Sequence, residues 1–474
     1  MKKALSILLA LLMIVSVLAS CSVEQNEEKE KTPQEILLGI TDEKERAKKL
    51  SEYSDANHEK YTSYKMEMTM SMETTIQASY QSNVTVIADG SVEQVWSGIG
   101  TDDFCYYSCD TSSTKLASST AVSNSKKIQY FKDGVYYLTV EDASLSNPQK
   151  LCTEMKAEDF IEYINGSTTS FDFYDCTTVS CTQNQDLSWS VKYEGYTKKA
   201  INDMIEELDL DMSLFNADIL DVKFAIEVDK DLNESSMSIE FVFEQKAKQP
   251  KFVLNAIMSG INSTEPKSSL TKDFTEVDDI VILETLEEKI EDIENDDYGL
   301  VKLEISQIVK TGSKVQTVSE TDTIRYGLED DAYFYNIEAK TGDDEYLIKY
   351  ENGYQSVSVG GVESTKVAKT ESDARAFVNG LIRTSNYDAR LITSVTKNED
   401  GSYVITTSNP DIKAFKTLIS SISLSVHSKE QTYIIKFKDD GSIASIESTL
   451  VLKGILTSNG QEGLISSKSE LTVK

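Results

Sequence analysis

The chain states one pattern twice, and this limits what it can fold into more than any other feature. Residues 222–243 (VKFAIEVDKDLNESSMSIEFVF) and 431–452 (QTYIIKFKDDGSIASIESTLVL) align without a gap at an offset of 209. Phe224 meets Tyr433, Ile226 meets Ile435, Asp231 meets Asp440 and Met237 meets Ile446. Shorter matches lie upstream in the same order: Asp102-Asp103 with Asp330-Asp331, Phe131–Gly134 with Tyr350–Gly353, Tyr174–Cys176 with Tyr387–Ala389, and Asn184–Trp189 with Asn398–Tyr403. A shared order, with offsets that drift only as loops change length, marks a repeated structural unit. Each copy must therefore build its own core. We place the copies at 32–270 and 271–474. The polar segment Asn262–Ser269, which holds Pro266, suits a linker, and the join falls somewhere in 262–280.

Each copy reads as a helix followed by many strands. Thr32-Pro33-Gln34-Glu35 is a capping box with proline at the first helical position. A second helical segment starts at Thr41-Asp42-Glu43 and runs to about Glu59. In copy two, Ile282, Leu283, Leu286, Ile290 and Ile293 recur at helical spacing. Residues 64–73 then alternate strictly, with Tyr64, Met66, Met68, Met70 and Met72 on one face and Lys65, Glu67, Thr69, Ser71 and Glu73 on the other. The counterpart is Leu300–Ile308, where Leu303 and Ile305 alternate with charge. Asp89-Gly90, Asp133-Gly134, Asn352-Gly353, Asp400-Gly401 and Asp440-Gly441 predict hairpin turns. Shorter helices are expected near Ala157–Ile164, Lys198–Leu208, Ser372–Ile382 and Pro410–Ile419.

The N-terminus indicates export. Met1-Lys2-Lys3 precedes an apolar run from Ala4 to Leu18, too short for an ordinary membrane span of about 20 residues. The run ends Leu18-Ala19-Ser20-Cys21, which resembles a bacterial lipobox. That resemblance implies a signal peptide over 1–20, removed on export, and a diacylglyceryl, palmitate-type anchor on Cys21. The chain would then hang from the outer face of the cytoplasmic membrane, in the cell envelope, on a flexible tether over 21–31. Two acyl chains hold a protein firmly where one does not. Loss of Lys2 and Lys3 with the signal moves the net charge from −32 to −34. So acidic a chain does not bind nucleic acid by neutralising phosphates.

The helix, the Met/Glu-alternating first strand with Tyr61-Thr-Ser-Tyr64-Lys-Met-Glu-Met68, and the two helices inserted among antiparallel strands resemble the LolA-like lipoproteins, including the LppX and LprG types. The resemblance implies an α+β fold: two tandem, strongly curved antiparallel sheets (half-barrels), each with helices on its concave side. In characterised relatives the space between sheet and helices holds acyl chains. On that reading Met66, Met68, Met70, Met72, Leu303 and Ile305 line a lipid site, methionine being an adaptable wall for irregular ligands. The same residues suit a plain core equally well.

Only five of the 47 basic residues are arginine, and there are two histidines, His58 and His427, so Ser-His-Asp triads and multi-histidine zinc sites have little to build on. Cys105, Cys109, Cys152, Cys176 and Cys181 all lie in copy one, and copy two carries Tyr333, Ile337, Ala389 and Ser394 at four matching places, so disulfides are not the framework. Asp229-Lys-Asp231-Leu-Asn233, with Glu240 at the twelfth place, mimics a calcium loop, but Glu234 stands where the sharp turn needs glycine. We expect a turn, no metal and no cofactor. Three functions remain: carriage of a hydrophobic ligand, a non-enzymatic envelope interaction protein (adhesin, scaffold or sensor ectodomain) with packed cores, and a hydrolase with two acids of divergent pKa.

Overall fold

The computed structural model describes residues 31–473 except 80–81, 118–121, 144, 146, 166–173, 208–218, 245–249, 268–272, 296–297, 330–331, 342–343, 365, 383–386, 408–409, 411, 413–414 and 459. The expected signal peptide, Cys21 and nearly all of the expected tether thus lie outside the described residues, as does the Asp330-Asp331 pair. The chain divides into two compact units at Asp273/Phe274, with Leu151–Thr153 grouped with the second.

Unit 1 opens with α1 (Pro33–Gly39) and α2 (Glu43–His58). The Thr32 capping box forms in full, and Asp42 caps α2. Six strands follow: β1 (Ser63–Ser79), β2 (Ser82–Ser97), β3 (Cys105–Leu116), β4 (Val122–Lys132), β5 (Val135–Asp142) and β6 (Gln149–Glu154). Then come α3 (Ala157–Asn165), β7 (Cys176–Gln183), β8 (Trp189–Tyr196), α4 (Lys198–Glu207), β9 (Ile219–Val228), β10 (Glu234–Phe243) and β11 (Lys251–Ser259). The sheet order is β6-β5-β4-β3-β2-β1-β11-β10-β9-β8-β7, so the first long strand sits in the middle and pairs with the last.

Unit 2 holds β12 (Thr275–Glu276), α5 (Val281–Asn295), β13 (Tyr298–Thr311), β14 (Lys314–Glu329), β15 (Ala332–Thr341), β16 (Asp344–Glu351), β17 (Tyr354–Val359), β18 (Val362–Glu363) and β19 (Val367–Ala368). It continues with α6 (Glu371–Ile382), β20 (Ile392–Lys397), β21 (Tyr403–Thr407), α7 (Lys416–Ser421), β22 (Leu424–Phe437), β23 (Ile443–Leu456) and β24 (Glu462–Val473). Its order, β18-β17-β16-β15-β14-β13-β24-β23-β22-β21-β20, has the topology of unit 1. The match extends to register. Met237 pairs with Ile226 as Ile446 pairs with Ile435, and both hairpins carry a bulge at the same place, beside Glu234 and beside Ile443.

Four five-residue loops repeat one hydrogen-bond pattern. In Asn184–Ser188, Asp229–Asn233, Asn398–Ser402 and Lys438–Ser442, the first N–H donates to the fifth carbonyl and the fourth N–H to the first carbonyl. The fourth residue is left-handed in each: Leu187 (φ 71°), Leu232 (φ 65°), Gly401 (φ 80°) and Gly441 (φ 80°). Glycine takes that conformation freely, whereas leucine is strained there by about 1–2 kcal/mol.

The expected α+β half-barrels are corrected by these elements. Strand makes up 59% and helix 18% of the described residues, and each unit is organised on one large sheet that does not close. The fold is β-rich. The reason lies in strand length. β1 and β2 run 17 and 16 residues, well past the apolar faces that announce them, because serine and threonine carry the sheet onward. Their hydroxyls pair across strands, as in Ser91–Thr111 and Ser112–Ser125, both 2.7 Å apart. Two smaller expectations also fail. Asp89-Gly90 lies inside β2, with Gly90 opposite Met70. Pro410 lies outside any helix, and α7 begins only at Lys416.

Candidate functional site

The methionine row lies where the alternation put it. Met66, Met68, Met70 and Met72 are 1–5% exposed and belong to one apolar cluster. Alternation in β1 sends all four to one face. On one side they face Gln94, Val92, Gly90 and Ala88 of β2, and on the other Met258, Ala256, Leu254 and Phe252 of β11. Gly90 and Ala88 give the long side chains room. Leu37 of α1, Ala47 and Leu50 of α2, and Ala200, Ile201 and Met204 of α4 complete the cluster. Walls of an open cavity would retain accessible area; these residues retain almost none. In unit 2 Leu303 is fully buried and Ile305 half-buried.

A polar junction that sequence reasoning missed lies where the end of α2 meets the β9–β10 turn. Asn57 Nδ2 donates to the Asp231 and Leu232 carbonyls at 3.0 and 3.3 Å. Tyr61 donates to Asn233 Oδ1 at 3.0 Å. Asp229 Oδ1 accepts the N–H groups of Asp231 and Asn233, each at 2.8 Å. Its carboxylate thus closes a turn, and the resemblance to a calcium loop ends there. The His58 ring contacts Tyr61 and Tyr64 at 4.9 and 5.6 Å, and burial lowers its pKa. Unit 2 uses the same contact with other chemistry: Lys289 of α5 donates to the carbonyl of Gly441, the counterpart of Leu232, at 2.6 Å.

Two carboxyls at this junction are shifted. Burial, reinforced by Glu59 and Glu52, pushes Asp55 up to about 7. Burial, then the charge of Asp55, pushes Glu234 up to about 8. Both move the same way, because burial disfavours the charged form of each. The sequence signal for Glu234 was its partner in the repeat, Ile443, which is 2% exposed.

Among the described residues no group of three His, Cys, Asp or Glu side chains could hold a metal ion, and the five described cysteines are free thiols. No described helix is long and apolar enough to cross a membrane.

No protein-family model matches the chain, and no curated protein matches it. Among solved structures it aligns with a porin-like protein from Bacteroides uniformis (8% identity, 87% of this chain and 96% of the other, TM-score 0.11). A putative AttH from Nitrosomonas europaea aligns similarly (9% identity, 88% and 93%, TM-score 0.10), as does a mutant porin of Rh. blastica (7% identity, 87% and 99%, TM-score 0.11). Scores this low establish no shared fold.

Proposed function

We propose that the chain is an exported lipoprotein, held at the outer face of the cytoplasmic membrane through Cys21, whose two β units form a non-enzymatic interaction ectodomain. Binding takes place on the surfaces of the sheets, and their interiors are structural. The observation that carries this reading is the closure of the methionine row against α1, α2, α4 and β11, which favours a packed core over a ligand chamber.

Native mass spectrometry of the mature chain, freed of its anchor and of detergent, tests the interior. The expected mass is that of the bare polypeptide. A stoichiometric acyl or lipid mass would return the protein to ligand carriage. The anchor is tested separately by palmitate labelling in cells, which Cys21→Ser abolishes while releasing the chain from the membrane fraction; unchanged labelling would remove the anchor from the proposal.

A further inference from the structure

In a chain with 79 acidic and 47 basic residues, unit 2 brings two lysines and a histidine around one cavity. Lys310 of β13, Lys453 of β23 and His427 of β22 line about 650 Å³, together with Gln461, Glu462 and Leu464. The register explains the convergence. Lys453 is directly opposite Leu464 of β24, and Leu464 is directly opposite Lys310. Directly paired residues point to the same face, and neighbouring strands lie about 4.8 Å apart, so the two lysines stand roughly 10 Å apart with Leu464 between them. His427 enters at the bulge between Val426 and Ser428. Gly454 and Gly463, directly opposite one another and both buried, also border it.

Neither lysine has an ion-pair partner among the described residues. Lys302, Lys340 and Lys468 of the same unit each bridge a glutamate. Two flexible ammonium groups left unpaired across a gap of this width suit a tetrahedral oxyanion that both can reach. Apolar surface borders them: Val315 is opposite Lys310, Ile455 lies two residues from Lys453 on the same face, and both are exposed. We infer that this cavity binds a phosphate group, free or at the head of an ester whose other end is hydrocarbon. Lys310 and Lys453 hold the oxyanion, His427 donates to it, and Glu462 opposes it. The site is independent of the anchoring reading.

The two histidines make the test direct. Inorganic phosphate is titrated into the full chain carrying Cys21→Ser, at constant ionic strength and pH, with chloride as control, while the histidine ring resonances are followed by proton NMR. His427→Gln identifies its resonance. Saturable movement of the His427 signal is expected, with His58 still. Lys310→Gln and Lys453→Gln each weaken binding about tenfold, and Glu462→Gln tightens it. An equal response to chloride, movement of both histidines together, or unchanged affinity in the double lysine variant overturns the site. Vesicles of phosphatidylcholine with and without phosphatidylglycerol identify the source. Lysine-dependent binding only to the phosphatidylglycerol vesicles supports a lipid headgroup, and phosphate binding without vesicle binding supports a soluble ester.

Discussion

Replacing Glu234 by glutamine should stabilise the protein at alkaline pH and leave it unchanged in acid. The half-buried carboxyl holds its proton up to about pH 8 in the folded chain, against an ordinary value of 4.5. Between those values the native state keeps a proton that the unfolded state has released. Stability therefore falls as pH rises through this window, and the loss is complete above about 8. A shift of this size corresponds to about 5 kcal/mol at the limit, since one pKa unit is about 1.4 kcal/mol. Water entry around the charged form and the contribution of Asp55 reduce what a single substitution recovers, so about 2 kcal/mol is expected at pH 8.5.

The order of titration sharpens the test. Asp55 ionises first, near 7, and its charge then holds Glu234 higher. Asp55→Asn should therefore narrow the window of Glu234 from above, as coupled sites require. The assay is urea unfolding of wild type, Glu234→Gln and Asp55→Asn from pH 4 to 9. Only differences between variants are read, because the acidic surface adds its own pH dependence. Glu234→Ile, which copies unit 2, should match or exceed glutamine. A glutamine variant less stable than wild type at pH 8.5 would refute the reasoning, since it would mean that the ionised carboxylate is stabilised in place.

Three further outcomes follow from the same structure. Met68→Ala should cost about 3 kcal/mol in urea unfolding, as expected when a buried side chain leaves a cavity; a cost below about 1 kcal/mol would show that the site is not closely packed. Leu187→Gly should stabilise unit 1 by about 0.5–1 kcal/mol, because Leu187 is left-handed and 54% exposed, so relief of strain outweighs the little burial lost. Cys181, buried and with its thiol pushed up to about 11 by burial, should resist alkylation at pH 8 until the chain unfolds; labelling in native buffer at the rate of a free thiol would contradict its placement.

The sequence disclosed what depends on period and on turn chemistry. β1 was legible because a one-faced strand alternates, and Asp133-Gly134 and Asn352-Gly353 were legible because a two-residue hairpin needs positive φ at both positions, which both pairs adopt. Asp89-Gly90 misled because the same dipeptide also serves as a small residue opposite a large one, and Met70 needs that space. The fold class misled for a related reason. Serine- and threonine-rich stretches give no apolar period, yet they lengthen β2, β3 and β4 by pairing hydroxyls across the sheet. Glu234 was hidden by the bulge that follows it. Inward positions in β10 are Met237, Ile239 and Phe241, so strict alternation sends Glu234 to solvent, and the register shift reverses that assignment.

The two units offer a comparison that neither provides alone. At the turn between β9 and β10, unit 1 has Leu232 in a left-handed conformation and, two residues on, a half-buried Glu234. At the equivalent turn unit 2 has Gly441 and Ile443, the residues that backbone geometry and burial favour, in the same loop, the same register and beside the same bulge. The fold therefore requires neither the strained leucine nor the half-buried acid. Leu232 recovers part of its cost by burying its side chain in the main cluster of unit 1. Glu234 recovers none that its own environment provides, since both Asp55 and burial oppose its charge. A cost that the same chain avoids elsewhere is not a cost of the architecture. Unit 2 shows the framework solution, and the junction of α2 with the β9–β10 turn in unit 1 departs from it at Leu232 and Glu234, two positions apart.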